Sequence, residues 1–274
     1  ISDEMRQLAR RTRPRIVLCG YTSYPRDYDY TAFRAIADEV GALAMADVSH
    51  VGGLIAAGVM RNPFDAGFDI VTTTIHKTLR GPRAGMILCR KEHAAAIDAS
   101  VFPGLQGGPH MNTIAAAAVA LRKAAEPAFR DYARQVLANA RALADALLEA
   151  GVSLVTGGTD NHMAVIDTVK SFGIDGRRAE AVLDGIGITT NKQVIPDDPN
   201  PPLRPSGIRV GTPACTTRGM GEADMGRIAG WIVAALRHPS DERRVAALRE
   251  ETRAFCVRFP VPGIDAAAAS PGES

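Results

Sequence analysis

The sequence predicts an α/β protein: a mainly parallel sheet with helices on both faces, followed by a smaller α+β domain. Three observations carry this. Short, continuous apolar runs ending in glycine or aspartate recur through the first half, as strands buried on both faces do. Helical segments fall between several of them, and such alternation implies parallel pairing. Near Gly107-Gly108-Pro109 the alternation gives way to longer helical stretches.

In chain order, Met5 to Arg11 reads as the end of a helix, closed by Pro14. Arg15 to Gly20 (RIVLCG) is a buried strand. Tyr30 to Val40 is amphipathic, with Phe33, Ile36, Ala37 and Val40 on one face. Leu43–Asp47, Asp69–Ile75 and Ala84–Cys89 are further buried strands, and Lys91 to about Ser100 is a helix. Ligands of such sheets bind beyond the carboxyl ends of the strands. Helices then run from Met111 to Ala124 and from Ala128 to Ala150, stopped by Pro127 and Gly151. Strand signals at Ser153–Val155, Met163–Asp167 and Gly207–Gly211 mix with helices over Arg177–Ile186, Glu222–Arg237 and Asp241–Arg258. The boundary falls between Pro109 and Pro127, giving a first domain over 1–120 and a second over 121–260. The tail, 261–274, is expected to be flexible, because AAAASPGES has nothing to pack.

Composition excludes several function classes. The 274 residues correspond to two domains at roughly 150 residues each, and 46% hydrophobic residues supply an ample core. No run approaches the roughly 18 apolar residues of a membrane span. With 32 basic against 30 acidic residues, nothing draws the chain toward nucleic acid or an anionic membrane. Cys19, Cys89, Cys215 and Cys256 stand far apart without ligand-spaced histidines, which argues against a metal site or disulfide scaffold. Cys19 and Cys89 read as small buried hydrophobes. The charged start, ISDEMRQLARR, is not a signal peptide. It lacks an initiator methionine, so the chain is expected to be processed or to begin within a longer protein.

Only 5 residues are lysine, and one of them stands out. Lys77 lies in TTTIHKTLRGPR, just past a buried strand. There desolvation and cationic neighbours make an amine a usable nucleophile. A surface-loop lysine would share that position. The threonine run ending in Thr74, with Arg80 and Arg83, favours the reactive reading, since a phosphorylated aldehyde cofactor needs hydroxyls and guanidiniums nearby. Asp47 ends the preceding apolar strand, thirty residues ahead of Lys77. Its carboxylate is suited to keeping a pyridine nitrogen protonated, although aspartate is also a common helix cap. His50 is close enough in sequence to touch the same ring, or to be a structural histidine.

These residues carry a resemblance. Asp47-Val-Ser-His-Val-Gly-Gly-Leu54, TTTIHKTLRGPRAG, VFPGLQGGPHM (101–111) and SGIRVGTPA (206–214) are similar, in order, to motifs of serine hydroxymethyltransferase. The similarity extends to about Trp231. It implies a fold-type-I pyridoxal-phosphate enzyme that interconverts serine and glycine by retro-aldol cleavage coupled to tetrahydrofolate. It further implies a homodimer or higher homo-oligomer in the cytoplasm. By the resemblance, Lys77 matches the lysine that bonds to the cofactor, Asp47 the carboxylate on the ring nitrogen and His50 the histidine near the ring. Thr22 takes the place of a serine that reaches the cofactor's ring oxygen. His76 and Arg83 match residues flanking the lysine and the phosphate. Gly107 and Gly108 match glycines that approach the neighbouring subunit's phosphate. Arg209 matches the arginine that binds the substrate carboxylate, and a planar fork suits that task where lysine would not.

The departures are informative too. Where the family has an asparagine and an SPF-like triplet near folate, this chain has Gln193 and Pro201-Pro-Leu203. An α-methylserine hydroxymethyltransferase or a folate-independent threonine-type aldolase stays open on that ground. The resemblance lacks the family's N-terminal segment, so the chain reads as the C-terminal portion. That leaves open a non-catalytic assembly or binding role, and predicts weak cofactor binding and uncovered apolar strand faces. A Rossmann NAD enzyme is disfavoured, because no GxGxxG follows a strand.

Overall fold

Helix α1 (Asp3–Thr12) opens with Asp3 and Glu4 and ends with Arg10 and Arg11, charges that complement the helix dipole at both ends. The computed structural model describes residues 3–264 and divides into two units, residues 3–22 with 27–133 and residues 23–26 with 134–264. Residues 265–274, which hold most of the expected flexible tail, lie outside the described residues.

In the first unit, β1 (Ile16–Cys19), β2 (Leu43–Asp47), β3 (Ile70–Thr74) and β4 (Gly85–Cys89) form one sheet in that order. The first two pairings are parallel, and β4 returns antiparallel along β3. Helix α2 (Tyr30–Val40) crosses between β1 and β2. Asp29 caps its start by accepting from the Ala32 amide at 3.0 Å, and Gly41 ends it in the left-handed region, at φ 69°. Phe33, Ile36 and Ala37 are buried, as the amphipathic pattern requires. Tyr30 meets Phe68 edge-on at 5.5 Å. Cys19 is buried, and burial pushes its thiol up to about 12, so it acts as a small hydrophobe. Cys89 is only half-buried.

One expectation needs correction. β1 and β4 are not buried on both faces. Val17 and Cys19 are covered, whereas Ile16 and Leu18 are 45% and 51% exposed. Ile87 and Leu88 of β4 are also exposed. For β1 the cause is the period-two alternation of a strand: α2 packs on one face of the sheet, and Ile16 and Leu18 point away from it, whereas Ile87 and Leu88, being adjacent, lie on opposite faces of the edge strand β4. Helix α3 (Gly52–Ala56) and a 3-10 turn at Pro63–Ala66 follow β2, and α4 (Lys91–Ala99) follows β4. After a helical turn at Ser100–Leu105, α5 (Met111–Ala124) buries only Ala124.

The division of the chain falls within α6 (Pro127–Glu149). The second unit has an antiparallel sheet, in which β7 (Gly207–Gly211) lies between β5 (Met163–Asp167) and β6 (Asn191–Gln193). Ser153–Val155 supplies only an isolated bridge, Leu154 opposite Ile166. Aspartates cap both α7 (Thr168–Phe172) and α8 (Gly176–Gly185), Asp167 from the Lys170 amide and Asp175 from that of Arg178. With α9 (Pro213–Thr217), α10 (Glu222–Arg237) and α11 (Glu242–Cys256), these enclose a core around Leu147, Ile166, Leu183, Ile208, Ile232 and Leu236. No helix among the described residues is long and apolar enough to cross a membrane.

Candidate functional site

Parallel pairing brings the carboxyl ends of β1, β2 and β3 to one edge of the first sheet. A cleft of about 1100 Å3 opens there, and Asp47, Thr74, Arg83, Gly107 and Gly108 are among its walls. Asp47 ends β2, and both of its carboxylate oxygens are engaged. Oδ1 accepts from the Ser49 amide at 2.9 Å and Oδ2 from the Thr72 hydroxyl at 3.0 Å. Thr74, the last residue of β3, donates its hydroxyl to the Ser49 carbonyl at 3.2 Å. The turns after β2 and β3 are thereby tied together beside the cleft.

Lys77 lies three residues past β3, half-buried, in the turn that leads to β4. Thr78 clamps this turn. Its hydroxyl donates to the His50 carbonyl at 3.0 Å and accepts from the Gly53 amide at 2.9 Å. The fit is close: a Cβ on Gly53 would come within 2.3 Å of the Thr78 carbonyl. At the far end of the turn Arg80 takes a left-handed backbone conformation, φ 58°, and its guanidinium stacks 3.9 Å over the Tyr132 ring. His76 is half-buried, and its Nδ1 is buried without a hydrogen-bond partner.

Not every candidate joins the cleft wall. Lys77, His50 and His76 stand on the adjoining turns, and Thr22 is exposed beyond β1. Arg209 belongs to the second unit, on β7. There its Nη1 donates to the Ser23 hydroxyl at 3.2 Å, and Ser23 in turn donates to Gln193 Oε1 at 2.6 Å. Burial pushes the Arg209 guanidinium below the usual arginine range, yet arginine keeps its proton in proteins. Sequence reasoning missed Ser49, Thr72 and Thr78, which hold the candidate residues in place. The only signal was their position inside the two motifs. No group of three or more potential metal ligands occurs among the described residues.

A fixed carboxylate, a run of hydroxyls, one guanidinium and two side-chain-free amides around one cleft fit a phosphorylated heterocycle. The parallel-rich sheet with its helices is consistent with a domain of a fold-type-I pyridoxal-phosphate enzyme. Comparison with known proteins makes it specific. The family model for serine hydroxymethyltransferase matches residues 2–232, and the chain belongs to that family. It is 53% identical over 262 residues to the serine hydroxymethyltransferase of Sorangium cellulosum, covering 96% of this chain and 62% of that protein. To that of Acidobacterium capsulatum it is 52% identical over 261 residues, covering 95% of this chain and 61% of that protein. The chain thus spans about three fifths of the length of these relatives.

Proposed function

We propose that this chain carries cofactor-binding and carboxylate-binding residues of a pyridoxal-phosphate-dependent hydroxymethyltransferase. The reaction is the interconversion of serine and glycine, with tetrahydrofolate as the one-carbon acceptor, in a homodimer or higher homo-oligomer of the cytoplasm. The carrying observation is the cleft at the carboxyl ends of β2 and β3, where Asp47, Thr74, Arg83, Gly107 and Gly108 meet beside the Lys77 turn.

In this reading residues 1–120 hold the cofactor and 121–260 form the smaller domain. Lys77 Nζ bonds to the cofactor. The Asp47 carboxylate, held from both sides by Ser49 and Thr72, keeps a proton on the ring nitrogen. His50 lies beside the ring, and the hydroxyls of Thr22 and Thr74 bind cofactor oxygens. His76 and Arg83 flank the lysine and the phosphate. Gly107 and Gly108 are exposed, and a built Cβ on either meets nothing within 4 Å, which suits the approach of another subunit's phosphate. When bound, pyridoxal phosphate supplies an electron-poor ring that accepts the electron pair left when the serine hydroxymethyl group departs. Arg209 orients the amino acid by a bidentate pair with its carboxylate, its fork steadied through Ser23 and Gln193.

The test is covalent. The 274-residue chain is mixed with excess pyridoxal phosphate, reduced with borohydride and digested for peptide mapping. The adduct is expected on Lys77. Labelling spread evenly over Lys91, Lys123, Lys170 and Lys192, or absent from Lys77, overturns the assignment.

A further inference from the structure

The second unit contains a cavity that the proposed reaction does not use. It measures about 320 Å3 and is walled by residues of α6, β7, α9, α10, α11 and the loop before β6. Small-molecule pockets begin at roughly this size, about 300 Å3, and close-packed interiors leave few voids larger than a water molecule. The wall is mostly apolar, with Met220, Met225, Trp231 and Phe255 prominent. Burial pushes the Cys215 thiol in this wall up, against the opposing pull of Arg218, so that it stays neutral.

Among the described residues, Arg218 is the only charged one in the wall. Its Nε donates to the Phe259 carbonyl at 2.7 Å and its Nη2 to the Cys256 carbonyl at 3.0 Å. These bonds fix the fork without answering its charge, and no carboxylate pairs with it among the described residues. The nearby acid, Glu251, is bonded to Trp231 Nε1 at 3.0 Å and is not part of the wall. Arg227 and Arg258 both stack on the Phe255 ring, at 5.4 and 5.5 Å, and add to the positive potential. A second group waits for a partner: Thr190 Oγ1, in the same wall, is buried without a hydrogen bond. A neutral hydrocarbon would leave both groups unanswered. A phosphate would bring more charge than one guanidinium balances into an apolar wall, and an amine would be repelled.

We propose that this cavity binds a small monocarboxylate with an aromatic or branched aliphatic body. The carboxylate pairs with Arg218, and the body packs against Met220, Met225 and Trp231. This inference is independent of the cofactor reading, and neither outcome below bears on Lys77.

Trp231 is the only tryptophan of the chain, so its emission reports the cavity directly. Titration of the chain with phenylbutyrate is expected to give a saturable change in emission. Phenylbutanol, the neutral counterpart, is expected to bind about tenfold more weakly, the discrimination of one charge-assisted pair. Arg218→Gln should erase that preference, and Thr190→Val should weaken the acid several-fold. Cys215→Phe fills the recess and should abolish binding of both probes. Should that variant not fold, as judged by circular dichroism, Ala214→Leu serves the same purpose. No saturable change, equal affinity for acid and alcohol, or binding that survives a folded cavity-filling variant overturns the proposal.

Discussion

In β1 of the first unit, every second side chain is covered, and Ile16 and Leu18 face outward. In β5 of the second unit, Met163, Ala164, Val165 and Ile166 are all buried. Both strands are continuous apolar runs of similar length. The difference lies in what is layered on them. The second sheet has a core of helices packed on it, with Leu147, Leu183, Ile232 and Leu236 at or near full burial. The first has α2 on one face, and α5 buries a single alanine. An apolar run states which side chains can be buried; whether they are depends on a second layer. At about 25 cal/mol for each Å2 of apolar surface removed from water, the first unit leaves much of its stabilisation unrealised.

The largest expected effect separates the two regions by substitution. Leu183→Ala, in the second core, should cost about 2–5 kcal/mol, a transfer loss plus a cavity. Leu18→Ala, on the open face of β1, should stay within about 0.5 kcal/mol. Urea unfolding followed by circular dichroism makes the comparison. If Leu18→Ala costs as much as Leu183→Ala, the open face is covered in solution, and the contrast between the sheets fails.

A finer comparison lies within the first unit. A methyl group on Gly53 would sit 2.3 Å from the Thr78 carbonyl, whereas one on Gly107 meets nothing within 4 Å. Gly53→Ala should therefore cost about 1–3 kcal/mol by overpacking and displace the turn that carries Lys77. Gly107→Ala should leave the stability of the chain within about 0.5 kcal/mol. Thermal melts and the borohydride labelling of Lys77 read both. A Gly53→Ala variant with unchanged melting and labelling would show that Thr78 does not hold the turn.

Much of this was legible in the residues. α2, α5, β2, β5, β7 and α10 lie where their apolar runs and helical periods put them. Among the elements that were not read, α3, α7, β6 and α9 have five residues or fewer. That is too short for a period to register, and tertiary contacts fix them. The places of Asp47 and Thr74 at the cleft were legible because a parallel strand delivers its last residues to one edge, whereas Lys77 stands on the adjoining turn. The supporting clamp was not, because Thr78 reaches the His50 carbonyl across 28 positions of sequence, and nothing local encodes such a bond. Gln193 read only as a departure from the family's folate-contacting pattern, while in the folded unit it accepts from Ser23 beside Arg209.

The smallest effect concerns how the second unit holds its loops. Between β6 and β7, Asp198 gathers four donors. Oδ1 accepts from the Ser206 hydroxyl at 2.6 Å and the Asn200 amide at 3.0 Å; Oδ2 accepts from the amides of Ser206 at 2.9 Å and Ile195 at 3.3 Å. Burial opposes its ionisation, but these hydrogen bonds outweigh it and hold the carboxyl down to about 2. A carboxylate depressed on folding stabilises the folded state above its unfolded pKa, and the contribution fades as pH falls toward the folded value. The loop 194–206 should therefore stay closed at neutral pH and loosen progressively between the ordinary carboxylate range and about 2. Hydrogen exchange at the Asn200 and Ser206 amides should accelerate over that window, while the core amides of Ile166 and Ile208 stay protected. Asp198→Asn should show the faster exchange already at neutral pH, with no further change on acidification. Exchange at these amides that does not depend on pH beyond its intrinsic chemistry would mean that backbone packing, not this carboxylate, closes the loop.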